Sequence, residues 1–130
     1  MSNYPIQKTE AQWREQLGEA HYKILREKGT ERPFTGSYNL TFEDGTYCCM
    51  GCKNKLFESA SKFDSGCGWP SFDQSIAGSV TFIKDTTLGM ERTEIVCSNC
   101  GGHLGHVFDD SPTSTGQRYC VNSLSVDFEK

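Results

Sequence analysis

Two Cys-x-x-Cys pairs, Cys49/Cys52 and Cys97/Cys100, constrain this chain more than any other feature, and they leave Cys48, Cys67 and Cys120 outside the pattern. A two-residue spacer lets two thiolates face one cation. Two such knuckles therefore supply the four soft ligands of a closed, tetrahedral zinc site with no position open for catalysis. The competing reading is a pair of redox dithiols of the thioredoxin type, but neither pair sits in the strand-then-helix context which that chemistry needs. Cys48 and Cys49 are adjacent, so either is a candidate partner for Cys52. Spacing selects Cys49, and on a strand Cys48 points the opposite way, as a small half-buried apolar residue.

At 130 residues the chain is expected to form one domain, 1–130, with a helical segment over 1–32 packed on a zinc-clamped β core over 33–130. A structural metal contributes its binding free energy to folding, which a chain of this size can use. The 13 basic and 17 acidic residues give a net charge of −4 and are scattered, which argues against nucleic acid as the main partner. No apolar run approaches the roughly 18 residues of a membrane span, and the N-terminus lacks a signal-peptide pattern. The seven cysteines cannot all pair, which suits a reducing compartment. A cytoplasmic protein without membrane contact is expected.

Thr9-Glu10-Ala11-Gln12 reads as a capping box opening a helix, with Trp13 and Leu17 on one face. A second helix is expected from Glu19 to Lys28, with Tyr22, Ile24 and Leu25 inward and Gly29 as C-cap. From Ser37 the pattern turns to β. Tyr38, Leu40 and Phe42 alternate with polar residues before a hairpin signal at Asp44-Gly45. Further strands are expected at Val80 to Lys84, Thr93 to Val96, His103 to Phe108, Gln117 to Val121 and Ser123 to Phe128, where Leu124, Val126 and Phe128 form a period-2 face. Without βαβ alternation the sheets should be mainly antiparallel.

Three segments fall outside the zinc pattern. Cys67 lies between glycines and shortly before Pro70, in what reads as a tight loop able to present a mobile thiol. His103 and His106 are two of three histidines in the chain, and an imidazole can lower a thiol pKa or donate a proton near neutrality. They could also serve as extra metal ligands, although four cysteines already complete a zinc shell. Arg118, Cys120 and Asn122 alternate along a strand and share a face, where Cys120 is either a core residue or a reactive thiol with polar neighbours.

Taken in order, Cys49-x-x-Cys52, Ser65-Gly66-Cys67-Gly68-Trp69-Pro70-Ser71-Phe72, Cys97-x-x-Cys100, His103-Leu104-Gly105-His106-Val107-Phe108-Asp109-Asp110 and Arg118-Tyr119-Cys120-Val121-Asn122-Ser123 resemble the methionine-R-sulfoxide reductases of B type. The likeness runs from about Pro33 to Phe128. It implies a mainly β fold of two antiparallel sheets, the β-tent, with zinc clamping the side away from the active site. It implies Cys120 as nucleophile and Cys67 as resolving cysteine, with His103, His106 and Asn122 around the sulfoxide oxygen. Trp69 would lie against the substrate methyl group, and Phe108 and Arg118 would also bind substrate. The implied partners are oxidised proteins or peptides and thioredoxin as reductant, acting on a monomer. Leu88 stands where many bacterial members have His, and Ser111 and Ser114 replace a frequent Gly and Pro.

The implied chemistry suits the residues. A thiolate attacks sulfur while a donor such as protonated His106 protonates the departing oxygen, and the resulting Cys120 sulfenic acid condenses with Cys67 to a disulfide that an external dithiol reduces. Two other readings compete: a zinc-clamped binding module, which would not need Cys120, Asn122 or the histidine pair, and a thiol peroxidase, which would also pass through a sulfenic acid.

Overall fold

The computed structural model describes residues 5–32, 36, 38, 43–63, 68–86, 91–109, 113 and 115–129. Among these residues two short helices, α1 (Glu10–Leu17) and α2 (Glu19–Arg26), precede nine strands. These are β1 (Thr46–Cys49), β2 (Lys55–Glu58), β3 (Lys62–Phe63), β4 (Ser71–Phe72), β5 (Val80–Asp85), β6 (Arg92–Cys97), β7 (His103–Phe108), β8 (Arg118–Val121) and β9 (Val126–Glu129). They form a three-stranded sheet, β2-β1-β9, and a six-stranded sheet, β3-β4-β8-β7-β6-β5. All their pairings are antiparallel, as the absence of βαβ alternation requires.

The capping box forms as read. Thr9 Oγ1 accepts from the Gln12 N–H at 3.2 Å, and Gln12 Oε1 accepts from the Thr9 N–H at 2.9 Å. The expected second helix stops earlier than Lys28, at Arg26. Gly29 is not its left-handed cap, because that conformation falls on Lys28, at φ 55°. Gly29 is instead needed for close approach: its N–H bonds the Lys23 carbonyl at 2.9 Å, and a Cβ there would lie 2.9 Å from that oxygen.

Aromatic side chains fill the space between the sheets. Phe57 and Phe72 stack with centroids 4.3 Å apart, and Tyr47 meets Phe72 and Phe128 edge-on at 5.0 and 4.8 Å. Trp13, Tyr22 and Leu25 of the helices belong to the same buried cluster as Tyr47, Phe57, Ile95, Leu104 and Tyr119. The N-terminal segment thus completes the core.

One expected strand is corrected. Ser123–Ser125 is a 3-10 turn, and only Val126–Glu129 is extended, paired with β1. The Ser125 N–H bonds the Asn122 carbonyl at 3.0 Å, and the Glu31 carboxylate takes the Leu124 N–H at 3.0 Å. One donor is spent within the turn and the other on a distant side chain, so neither joins a strand ladder, which breaks the period-2 face expected of Leu124, Val126 and Phe128. The other four expected strands match β5, β6, β7 and β8, while β1 to β4 carry no expectation of their own from the sequence. Of the alternation over 38–42, Leu40 and Phe42 lie outside the described residues.

Strand β7 carries the feature that shapes the site. Ile95 pairs with Gly105, yet Val96 pairs with His103, so Leu104 is an extra residue opposite β6. At this bulge β8 comes very close, and a Cβ on Gly105 would lie 1.9 Å from the Cys120 carbonyl oxygen. Only glycine fits there. Gly105→Ala is expected to push β8 away and lower the unfolding free energy by about 1–3 kcal/mol, measured by urea titration. A variant as stable as the parent protein would contradict this close approach.

Candidate active site and metal centre

The two knuckles repeat one backbone design. The N–H groups of Cys49 and Cys97 bond the carbonyls five residues on, Asn54 at 2.8 Å and Gly102 at 2.9 Å. The Lys53 and Gly101 N–H groups return to the Cys49 and Cys97 carbonyls, both at 2.8 Å, and both residues are left-handed, at φ 65° and 76°. Four sulfur atoms converge as a result. Those of Cys49, Cys52, Cys97 and Cys100 lie within 4.8 Å of one another, with Cys49 to Cys100 at 3.6 Å and Cys52 to Cys97 at 3.5 Å. A tetrahedron with about 2.3 Å metal–sulfur bonds has edges of roughly 3.8 Å, so the four cysteines fit a metal ion.

Without a metal the four thiols share protons among themselves, two of them, Cys49 and Cys100, being raised and two, Cys52 and Cys97, lowered. Hydrogen bonding to Cys100 raises Cys49 and lowers Cys52, and hydrogen bonding to Cys100 also draws Cys97 down to about 7. The Asn99 N–H points at Cys97 Sγ from 3.4 Å. Cys48 stands outside the cluster, buried on β1, and burial pushes its thiol up, as suits an unreactive core residue. His103 and His106 are not part of the cluster either.

Across the large sheet, strand register assembles a second site. His106 pairs directly with Cys120, and Phe108 with Arg118, while Glu94 lies opposite His106 on β6 and Asp85 opposite Arg92. Alternation puts all of these on one sheet face. In a regular strand His103 would face away from His106. The Leu104 bulge reverses that parity and turns His103 to the same side, with the two rings 5.7 Å apart.

The resulting cavity has a volume of about 200 Å³. Its walls include Trp69, His103, His106, Phe108, Arg118, Cys120 and Asn122, every cavity residue named from the sequence except Cys67. Cys67 lies outside the described residues, as do Leu88, Ser111 and Ser114. Arg118 and Cys120 are half-buried on β8, and Asn122 sits just past the end of that strand. The Arg118 guanidinium covers the Phe108 ring at 4.6 Å, which flattens one wall.

Each histidine is held by a carboxylate that the sequence reading did not identify. Glu94 Oε2 bonds His103 Nδ1 at 2.7 Å, and its other oxygen pairs with Lys28 Nζ at 3.2 Å. Burial opposes the Glu94 charge, but the His103 hydrogen bond and Lys28 outweigh it and hold the carboxyl below its ordinary range. Asp85 Oδ2 bonds His106 Nε2 at 2.8 Å and Arg92 at 3.3 Å. Burial draws His106 below the usual histidine range, with Asp85 acting against it and the Arg92 and His103 charges adding to it. Glu94 and Asp85 occupy ordinary β positions among charged residues, so nothing in their spacing marks them.

Four clustered cysteines that could hold a metal ion and, among the described residues, one further cysteine beside two imidazoles in a cavity that the four do not line define a thiol protein. The chain belongs to the SelR family, whose domain model matches residues 17–130. It is 55% identical over 132 residues to the peptide methionine sulfoxide reductase MsrB of Variovorax paradoxus (strain S110), covering 97% of each chain. It is 57% identical over 125 residues to the protein so named in Agrobacterium fabrum, covering 95% of this chain and 93% of that one. The Teredinibacter turnerae protein of that name is 55% identical over 131 residues, 100% and 96% of the two chains. The family read from the five motifs is therefore the one to which the chain belongs.

Two predictions follow from the site. Metal analysis should find one ion per chain in the parent protein and in Cys48→Ser, whereas Cys97→Ser should lose the ion. Because His106 is drawn down on folding, the unfolded chain binds more protons just below pH 6.5, and the stability this site contributes at neutral pH is lost as pH falls through that window. Urea unfolding between about pH 5 and 7 should therefore show a steeper loss for the parent protein than for His106→Gln.

Proposed function

We propose that this chain reduces the R diastereomer of methionine sulfoxide in proteins and peptides. The observation that most supports this reading is the convergence of Cys120, His103, His106, Asn122 and Trp69 on one small cavity in a chain whose relatives are named peptide methionine sulfoxide reductases. Trp69 offers the S-methyl group an indole face, since sulfur and methyl groups pack favourably on aromatic rings. Cys120 attacks the sulfoxide sulfur as thiolate. The oxygen passes to Cys120 as sulfenic acid and methionine leaves. Condensation with Cys67 then releases water and forms a disulfide, which the dithiol of thioredoxin reduces by exchange.

The geometry changes one part of the expected chemistry. A standing imidazolium at His106 is disfavoured by burial, and its Nε2 is committed to Asp85. In this reading neutral His106 uses Nδ1 to accept the Cys120 proton and hand it to the departing oxygen, with Asp85 fixing the tautomer. His103, aligned by Glu94, and Asn122 donate hydrogen bonds to that oxygen. Phe108 and Arg118 form the outer wall.

Zinc is the proposed ion, since four thiolates in a closed tetrahedron suit it, and when bound it supplies a structural crosslink. Among the described residues no helix is long and apolar enough to cross a membrane. We place the protein in the cytoplasm as a single-domain monomer. A reading as a binding module leaves the aligned histidines without a role, and a peroxidase would not need the Trp69 wall.

The test combines stereochemistry with the cysteine pair. Chiral separation after exhaustive treatment of racemic methionine sulfoxide with dithiothreitol should leave only the S form. Cys120→Ser should lose all activity. Cys67→Ser should still release one equivalent of methionine and accumulate a dimedone-reactive sulfenic acid, while thioredoxin-supported turnover collapses. Equal consumption of both diastereomers, or brisk peroxide turnover with inert sulfoxide, would overturn the proposal.

A further inference from the structure

Glu31 lies outside the sheets, in the segment that follows α2, and its carboxylate is buried with a relative exposure of 8%. Among the described residues its Oε2 has no hydrogen-bond partner, an expensive state that a purely structural cap would avoid. Its remaining polar groups converge on the cavity. The Glu31 N–H donates to Asn122 Oδ1 at 3.1 Å, and the Glu31 carbonyl accepts from Trp69 Nε1 at 3.0 Å. Its Oε1 accepts from the Leu124 N–H at 3.0 Å, two residues beyond Asn122.

These bonds decide which way Asn122 faces. Its amide has one oxygen and two N–H donors. The Glu31 N–H occupies the oxygen, and the Leu104 carbonyl takes one Nδ2 hydrogen at 3.2 Å. One N–H donor is left for the cavity that Asn122 lines. With the amide flipped, a carbonyl oxygen would face the position of the substrate oxygen and repel it.

We infer that Glu31 is a positioning residue of this site. Its backbone sets the Asn122 amide and the Trp69 indole, and its carboxylate pins that backbone to the 3-10 turn by closing a hydrogen-bonded ring through Asn122, Ser123 and Leu124. What the ring requires of the side chain is reach and an acceptor atom, not charge. This inference rests on the proposed roles of Asn122 and Trp69, and deepens them.

Reach and charge separate in two variants of the full chain. Glu31→Gln keeps an oxygen at the same distance without charge, and Glu31→Asp keeps the charge one methylene short. In single-turnover methionine release without reductant, Glu31→Asp should fall by at least about tenfold, while Glu31→Gln stays near the parent protein. In steady state Glu31→Asp should lower kcat and raise KM together, because donor and aromatic wall are displaced at once. A second readout needs no substrate. The two tryptophan indole N–H resonances differ in kind, since Trp69 is hydrogen-bonded and Trp13 Nε1 has no hydrogen-bond partner among the described residues. In Glu31→Asp the Trp69 signal should shift and exchange faster, with the Trp13 signal and metal content unchanged. Unchanged Trp69 resonance and rate in Glu31→Asp would overturn the inference, as would a Glu31→Gln variant as impaired as Glu31→Asp. Inert sulfoxide with the parent protein would defeat the reaction assignment instead, leaving the resonance test of Glu31 intact.

Discussion

The extra residue at Leu104 does more to organise this molecule than any ion pair in it. Two histidines three positions apart on a regular strand face opposite sides of a sheet. With Leu104 inserted opposite Ile95 and Val96, His103 joins His106 on the face that carries Cys120. The bulged residue's carbonyl is not wasted: it accepts both the Asn122 N–H at 3.0 Å and the Asn122 amide at 3.2 Å. Gly105, next in sequence, removes the side chain that would keep β8 from closing on the bulge. One irregularity thus turns His103 to the side of His106, holds the Asn122 amide and lets the strand bearing the thiol close in.

Buried charges on the same face do a different job. Glu94, with an exposure of 2%, contacts a histidine and a lysine, and Asp85 contacts a histidine and an arginine. Buried ion pairs seldom stabilise a fold much, because desolvation offsets their attraction. Their effect here is directional. Each fixes a tautomer and a ring plane, so that the nitrogen offered to the cavity is set by the one already engaged.

None of the four clustered cysteines lines the cavity, and the N-terminal segment touches both. Arg26 donates to the Cys100 carbonyl at 2.9 Å and stacks on Trp13, while the Ile6 N–H bonds the Asn99 carbonyl at 2.8 Å. Farther along, Lys28 reaches Glu94, and Glu31 reaches Asn122, Trp69 and Leu124. A crosslink of four cysteines can therefore stiffen the fold without contributing an atom to the cavity. The left-handed conformation of Lys28 is kept where the chain must leave α2 and enter the cavity wall.

The features legible in the residues alone are those encoded by short-range spacing. The two-residue gaps of Cys49/Cys52 and Cys97/Cys100, the Thr9 capping box and the short strand segments of β5 to β8 are local patterns, because ligand geometry, helix caps and strand formation each act over a few residues. Five ordered motifs were enough to name the family, and seven of the residues named from the sequence line one cavity, with Cys67 outside the described residues. What tertiary structure decided is long-range or irregular. The 3-10 turn at Ser123–Ser125 depends on a carboxylate 93 residues away in sequence, at Glu31. The roles of Glu94 and Asp85 depend on which strands become neighbours, and the shared face of His103 and His106 depends on one inserted residue. Periodicity is blind to all of these, since a bulge inverts a strand's parity without leaving any local signal and a buried carboxylate acquires its partner only when distant segments meet.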